Sequence, residues 1–152
     1  MGAVACLLLV AAGCGSGSVA VDAPHLTGTP ARACRRLVDA LPSTVADQHR
    51  REAQTGEGYG AAFGDPPIVL RCGVPKPAGF DKFATCQVTD GVGWFIPESQ
   101  ITGQPTDVTM TTVGRAEYVE VRLPRDYFPP AAAMVDLAPA IKKAIPETKP
   151  CV

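Results

Sequence analysis

Apolar residues recur at helical spacing soon after the breaker-rich start of the chain. One stripe, at positions i, i+3, i+4 and i+7, is formed by Cys34, Leu37, Val38 and Leu41. Thr29 can serve as the N-cap and Pro30 suits the first helical position, while Pro42 cannot continue a helix. The pattern predicts a helix between Pro30 and Pro42 that buries Cys34.

A second period, in which every other residue is apolar, begins near residue 67. The apolar face of this predicted strand, over residues 67–74, holds Ile68, Leu70, Cys72 and Val74. Arg71 points the opposite way, toward solvent or a partner carboxylate. Residues 43–66 fit neither the helical nor the strand period, so we expect them to form a long connection.

Two further pairs of alternating segments predict β-hairpins. The first lies in FATCQVTDGVGWFIP, where Asp90-Gly91 is a dipeptide favoured in type I′ turns. The second pairs TDVTMTTV with EYVEVRL across Gly114-Arg115, and its Thr, Val and Tyr content favours strands. The end of the chain, PPAAAMVDLAPAIKKAIP, carries a helical stripe. Pro139 within it predicts a kink or a division into two short helices.

The order of these elements predicts the fold class. One helix, a long loop, about five strands and a final helix are typical of an α+β fold. We expect an antiparallel sheet, containing the two hairpins, that is covered on one face by the N-terminal and the C-terminal helix. The globular domain is expected to span residues 30–152 as one unit.

The first residues of the chain predict export. Residues 2–12 are uncharged and almost wholly apolar, but a bilayer-spanning helix needs about 20 such residues. The stretch ends in Ala11-Ala12-Gly13-Cys14, which resembles the lipobox of bacterial lipoproteins. We expect a signal peptide over residues 1–13, diacylglycerol on Cys14 and a lipidated flexible tether over residues 14–29.

One feature departs from the usual export signal. No Lys or Arg precedes the apolar stretch, although such signals normally begin with positive charge, and a start codon upstream of Met1 would supply it. The alternative is a buried N-terminal helix with an incidental cysteine. The Gly-Ser-Gly-Ser run after Cys14 favours a tether, and its ~16 residues would reach roughly 20–25 Å.

The overall charge of the chain argues against two classes of partner. It carries 14 basic and 15 acidic residues, a formal net charge of −1. Nucleic acid and an anionic membrane surface are therefore not expected as its main partner. Membrane association is expected through the lipid anchor instead, at the outer face of the cytoplasmic membrane.

The cysteines predict a disulfide framework. Removing Cys6 with the signal and Cys14 with the anchor leaves Cys34, Cys72, Cys86 and Cys151. An even number in a small exported domain is typical of disulfides, and sequence alone leaves three pairings open. The absence of Cys-x-x-Cys and His-x-x-x-His argues against zinc and against a redox-active dithiol. No metal or cofactor is expected.

Two groups of residues are candidates for binding. Arg35, Arg51 and Arg71 would form an anion site if the 43–66 segment folded over the first helix, although a solvated helix face is the simpler explanation of such residues. Trp94 and Phe95 lie on opposite faces of one strand. If Trp94 is in the core, Phe95 either marks an exposed partner patch or lies under a loop.

No catalytic motif is present in the sequence. There is no Gly-x-Ser-x-Gly elbow, and His49 is the only histidine of the expected domain. The glycines of GEGYGAAFG follow no predicted strand and include no P-loop lysine, so we expect a flexible loop there. Enzymatic activity is not predicted.

Several segments resemble a family of exported actinobacterial proteins that is known only as a domain of unknown function. They are CRRLVDALPSTV, AAFGDPPIVLRCGVPKP, DGVGWFIPE, TVGRAEYVEVRLP and LAPAIKKAIPE, within residues 31–147. The resemblance implies an envelope protein, often lipid-anchored, with no established catalytic residues. It also implies the pairs Cys34–Cys72 and Cys86–Cys151, the alternative being Cys34–Cys151 with Cys72–Cys86.

The sequence thus supports two hypotheses on function. The first is a lipid-anchored, non-enzymatic envelope domain that binds another protein or an envelope component. The second is a binder of small anionic ligands or an accessory envelope hydrolase, built around Arg71, Tyr59 and His49. A cleft with converging arginines would favour the second.

Overall fold

The computed structural model describes residues 17–151. Within them lie two helices, α1 at Gly28–Ala40 and α2 at Ala131–Ala144. Ten strands follow the chain: β1 Val19–Ala20, β2 Thr44–Val45, β3 Gln48–Arg51, β4 Ala53–Gln54, β5 Gly60–Phe63, β6 Ile68–Val74, β7 Gln87–Thr89, β8 Val92–Phe95, β9 Val108–Val113 and β10 Tyr118–Leu123. The α+β class is confirmed.

Eight of these strands form one antiparallel sheet in the order β2-β3-β5-β6-β10-β9-β8-β7. The predicted strand corresponds to β6, and the two predicted hairpins correspond to β7–β8 and β9–β10. Asp90 and Gly91 both have positive φ, 48° and 76°, as a type I′ turn requires. The expected count of about five strands was too low, because three more lie on the β6 side of the sheet.

The three additional strands fall in residues 43–66, which were wrongly predicted as a long connection. β3 is near the sheet edge, and its sequence Gln-His-Arg-Arg shows no apolar alternation because most of its side chains meet solvent. β5 reads Gly-Ala-Ala-Phe and is buried throughout, yet small residues have low intrinsic β-propensity. Pairing with β3 and β6, rather than local preference, makes this segment a strand.

The core joins both helices to alternate residues of the sheet, and we call the sheet surface bearing them the core face. Its largest fully buried side chains include Trp94, Phe63, Leu37, Leu70, Met110 and Ile141. The Cys34–Cys72 disulfide connects α1 to β6 inside this core, with 5.6 Å between the Cα atoms. α2 is one continuous helix that includes Pro139, so it is not divided into two. Pro139 itself is exposed to solvent.

The opposite surface, the outer face, is partly covered by the segment preceding α1. β1 pairs in parallel with β4, and Val21 is buried above Gly60. Leu26 occupies the space above Gly73, where any Cβ would clash with it. Residues 17–27, predicted as part of a flexible tether, thus lie against the sheet, since apolar side chains at 21 and 26 find glycine sites there.

Candidate ligand-binding cleft

Arg71, predicted to face solvent or a carboxylate, lies in an ion cluster at the middle of the outer face. Its Nη2 donates to Glu120 Oε1 at 2.7 Å, and Arg122 Nε donates to the same oxygen at 2.8 Å. Arg71 Nη1 also donates to the carbonyl of Asp22 at 2.9 Å. The guanidinium is therefore occupied in holding β10 and the N-terminal segment to β6.

Arg51 and Arg35 have other partners, so the predicted three-arginine anion site is not formed. Arg51 donates to the carbonyls of Gly64 and Gly17 at 3.1 and 2.8 Å. Arg35, on the solvent-facing side of α1, donates to the Tyr59 hydroxyl at 3.1 Å, and this hydrogen bond raises the pKa of Arg35. Each guanidinium binds its own set of protein oxygens instead of converging on a shared ligand.

Trp94 and Phe95 do not form the predicted exposed patch. Trp94 is 0 % exposed in the core, and Phe95, on the outer face, is only 8 % exposed. Phe80 covers Phe95, with 5.3 Å between ring centroids. Phe95 thus lies under a loop, because an aromatic on the second face of a strand must be buried by another segment.

That loop forms one wall of a cleft of about 450 Å³. We call residues 75–86 the aromatic loop; the β9–β10 turn and the C-terminal residues 148–151 supply the other walls. The cleft is lined by Lys76, Phe80, Asp81, Lys82, Ala84, Cys86, Val113, Gly114, Arg115, Tyr118, Thr148, Lys149, Pro150 and Cys151. Three segments distant in sequence therefore build this site.

The C-terminal wall is fixed by a disulfide and by backbone hydrogen bonds. Cys86–Cys151 ties it to the aromatic loop, with 6.2 Å between the Cα atoms. The amides of Thr148 and Lys149 both donate to the carbonyl of Gly114, at 2.8 and 3.0 Å. Gly93 makes this possible because a Cβ there would lie 2.7 Å from the Cys151 Cβ. The tail is held as a wall of the cleft.

Arg115 supports the cleft from below. It is 8 % exposed, and its guanidinium donates to the carbonyls of Ile145 and Gly91 at 2.7 and 2.9 Å. Glu147 is 3.8 Å away, while Arg115 Nε is buried without a partner. One buried cation therefore joins the end of α2, the β7–β8 turn and the C-terminal tail, and adds positive charge beneath the cleft.

The cleft concentrates positive charge on a chain whose formal net charge is −1. Lys76, Lys82 and Lys149 are exposed around it, and Asp81 is the one carboxylate in the lining within the described residues. Arg115 lies below and is paired with Glu147 at 3.8 Å, so the cations still outnumber the carboxylates beside them. Flexible ammonium groups around a walled cleft suit phosphate or carboxylate groups. The arrangement favours an anionic ligand.

The lining offers binding groups rather than a reactive pair. Among the described residues that line the cleft there is no histidine and no serine, and both cysteines are in the disulfide. Beside the cleft, burial raises the pKa of Glu117, which precedes the lining residue Tyr118. Over residues 17–151, no cluster of three potential metal-binding side chains occurs.

Sequence reasoning missed this site because its cations are spread along the chain. Lys76 and Lys82 fall in a segment with no strand or helix period, and Lys149 lies near the end. The Lys-Pro-Ala-Gly-Phe-Asp-Lys-Phe run was a usable signal, since it places two lysines and two aromatics in one loop. Its meeting with Lys149 depends on the Cys86–Cys151 bridge.

The disulfides indicate the compartment in which the protein is found. The structure contains the two pairs that the family resemblance implies, Cys34–Cys72 and Cys86–Cys151. Disulfides persist in oxidising, extracytoplasmic environments. Neither helix within residues 17–151 combines the length and apolarity needed to cross a bilayer. Cys14 and the predicted signal peptide lie outside the described residues.

Comparison with known proteins identifies the family. A family model described as "Protein of unknown function (DUF3515)" matches residues 2–150. No curated protein and no solved structure gives a match. Because the family match covers nearly the whole chain, and confirms the resemblance to a domain of unknown function, this protein belongs to the DUF3515 family.

Proposed function

We propose that this protein is an exported, lipid-anchored envelope protein whose domain binds an anionic ligand, without catalysis, in the basic cleft. The observation that carries the proposal is the convergence of Lys76, Lys82, Lys149 and buried Arg115 on one cleft. These four cations outnumber the two carboxylates beside them, Asp81 and Glu147, on a chain whose net charge is slightly negative. The absence of a nucleophile–base pair in the described lining supports binding over hydrolysis.

The anchored state is supported by the lipobox-like Ala-Ala-Gly-Cys ending at Cys14 and by the two disulfides. Gly17 is held to Arg51 by a 2.8 Å hydrogen bond. Three residues of extended chain span at most about 11 Å, so a lipid on Cys14 would keep the domain next to the bilayer. We place it at the outer face of the cytoplasmic membrane.

Mass spectrometry of the protein extracted from membranes tests the anchor. The peptide beginning at Cys14 should carry the mass of diacylglycerol, and Cys14→Ser should lack it. A mature protein that begins elsewhere, or whose Cys14 is unmodified, would refute the lipid anchor while leaving the cleft untouched.

Titration with glycerol 1-phosphate, followed by NMR, tests the cleft. We expect amide chemical-shift changes around residues 76–86 and 147–151. Lys149→Glu should weaken the affinity at least about tenfold, since charge-assisted hydrogen bonds contribute about 1.5–3 kcal/mol. Lys143→Glu is the matched control, because it makes the same charge change at an exposed residue of α2 that does not line the cleft. No shifts in the wild type, or equal weakening by both variants, would refute the site.

A further inference from the structure

The aromatic loop presents an aromatic ring to solvent beside the basic cleft. Phe83 is 81 % exposed, the highest value among the large exposed apolar side chains of the described residues. Its amide donates to Asp81 Oδ1 at 2.8 Å, which fixes the turn that carries it. Lys82 Nζ lies 4.8 Å from the ring centroid. An exposed phenylalanine is thus held next to a lysine at the mouth of the cleft.

The base of the loop is firmly attached to the sheet. Phe80 packs on buried Phe95, and Lys76 Nζ lies 5.6 Å from the Phe80 ring centroid. The Cys86–Cys151 disulfide closes the other end of the loop. Because both ends of the loop are fixed, the loop holds Phe83 in its exposed position.

A ring flanked by lysines matches the boundary between lipid headgroups and acyl chains. Aromatic side chains enter this boundary, while lysines stay at the level of the phosphates. Each lysine near an anionic surface adds about 1 kcal/mol of attraction. The net charge of the chain argues against general attraction to such a surface, but Lys76, Lys82 and Lys149 are concentrated where Phe83 projects.

We propose that the aromatic loop docks on an anionic phospholipid bilayer, with Phe83 at the headgroup–acyl boundary and a lipid phosphate in the basic cleft. This inference rests on the proposed function and names its ligand class. It commits the surface to a lipid rather than to a small soluble anion, because a bilayer uses the exposed ring and the cations together, whereas a small anion leaves the ring unused.

The position of the anchor is compatible with this docking. Through the strand register, Arg51, which binds Gly17, lies on the same outer face as Phe95, which lies under the loop. From β3, which carries Arg51, to β8, which carries Phe95, the sheet spans five inter-strand spacings, about 24 Å. A bilayer facing the outer face can therefore contact both the anchor and the aromatic loop.

Depth-dependent fluorescence quenching tests the docking. The full-length Phe83→Trp protein is purified from membranes and reconstituted into vesicles of brominated phosphatidylcholine, with or without an equal amount of phosphatidylglycerol. Trp94 is fully buried and provides a constant background. Val135→Trp is the matched control, because Val135 is 50 % exposed on α2, and circular dichroism checks that both variants fold.

We expect quenching of Phe83→Trp in phosphatidylglycerol vesicles and none for Val135→Trp. Adding Lys76→Gln and Lys82→Gln should lower the docking equilibrium constant about fivefold per lysine, whereas Lys142→Gln with Lys143→Gln should leave it unchanged. Raised salt should weaken docking.

Three results would overturn the inference: no quenching of Phe83→Trp, equal quenching of both tryptophan variants, or equal quenching with and without phosphatidylglycerol. Binding of glycerol 1-phosphate without quenching would leave the proposed function standing and refute the docking. Quenching without any phosphate binding would refute a headgroup in the cleft.

Discussion

The two disulfides close loops of different length, and they differ in how deeply they are buried. Comparing the free energy of unfolding that is lost when each is removed therefore tests whether loop entropy or core packing matters more. Cys34–Cys72 has a sequence separation of 38 residues, and Cys86–Cys151 one of 65. Chain entropy alone predicts a stabilisation of about 4 kcal/mol for each, slightly more for the longer loop. Because the loops do not overlap along the chain, the two effects should be nearly additive.

Burial reverses the order of stabilisation that loop length predicts. Cys34 and Cys72 are both fully buried in the core, so replacement of each by alanine removes a buried sulfur and leaves a cavity, at about 1 kcal/mol per site. Cys86 and Cys151 are half-buried, so their replacement by alanine removes less buried surface and costs less packing energy. We expect Cys34→Ala/Cys72→Ala to lower the free energy of unfolding by about 6 kcal/mol, and Cys86→Ala/Cys151→Ala by about 4 kcal/mol.

Urea unfolding, followed by Trp94 fluorescence and far-UV circular dichroism, measures both effects. Fully buried Trp94 reports loss of the core directly. Each variant expands the unfolded chain and should raise the m-value, so free energies must be compared rather than midpoints. A domain at the lower end of ordinary stability, about 5 kcal/mol, would not stay folded after losing the core bridge, whereas one near 15 kcal/mol would keep about 9 kcal/mol. If the Cys86/Cys151 variant is the less stable one, loop entropy outweighs core packing and our reasoning fails.

Two further predictions concern single residues. Burial raises the pKa of Glu117 above its ordinary value of 4.5, so ionised Glu117 destabilises the fold above the raised pKa, and the cost disappears as pH falls toward 4.5. Glu117→Gln should therefore raise the melting temperature at pH 7, and a gain that persists unchanged in acid would contradict this cause. Gly73→Ala should cost about 3 kcal/mol, from a φ of +79° and from displacing Leu26, and should make residues 17–27 sensitive to protease. Gly79→Ala, with a φ of +81° and no close neighbour, should cost only about 1 kcal/mol, and equal losses would show that Leu26 is not held at Gly73.

The elements predicted well are those whose pattern is local. In β6, Ile68, Leu70 and Cys72 alternate toward one face, and Asp90-Gly91 specifies its turn within two residues. α1 was predicted within a few residues because the proline at 42 marks its end and its stripe is regular. In each case short-range geometry and burial favour the same structure.

The parts that were missed depend on distant neighbours. β5 is Gly-Ala-Ala-Phe, which becomes a strand because β3 and β6 flank it. Val21 and Leu26 pack against the sheet because the glycines at 60 and 73 have no side chains to fill that space. Residues so far apart in sequence cannot be matched from a short stretch of the chain. The cleft requires Lys149 to meet Lys76 across the chain, and long-range contacts such as the Cys86–Cys151 disulfide and the Gly114 hydrogen bonds bring them together.

Each disulfide joins neighbours among the four bonded cysteines in chain order, Cys34 with Cys72 and Cys86 with Cys151, and this order has a consequence for biogenesis. A polypeptide that crosses a membrane from its N-terminus presents Cys34 and then Cys72 to the oxidising side before Cys86 arrives, and Cys86 then awaits Cys151. Successive oxidation in order of emergence therefore yields the native bonds. In the exported protein that we propose, we therefore expect a thiol oxidase alone to suffice, without an isomerase to correct the pairing.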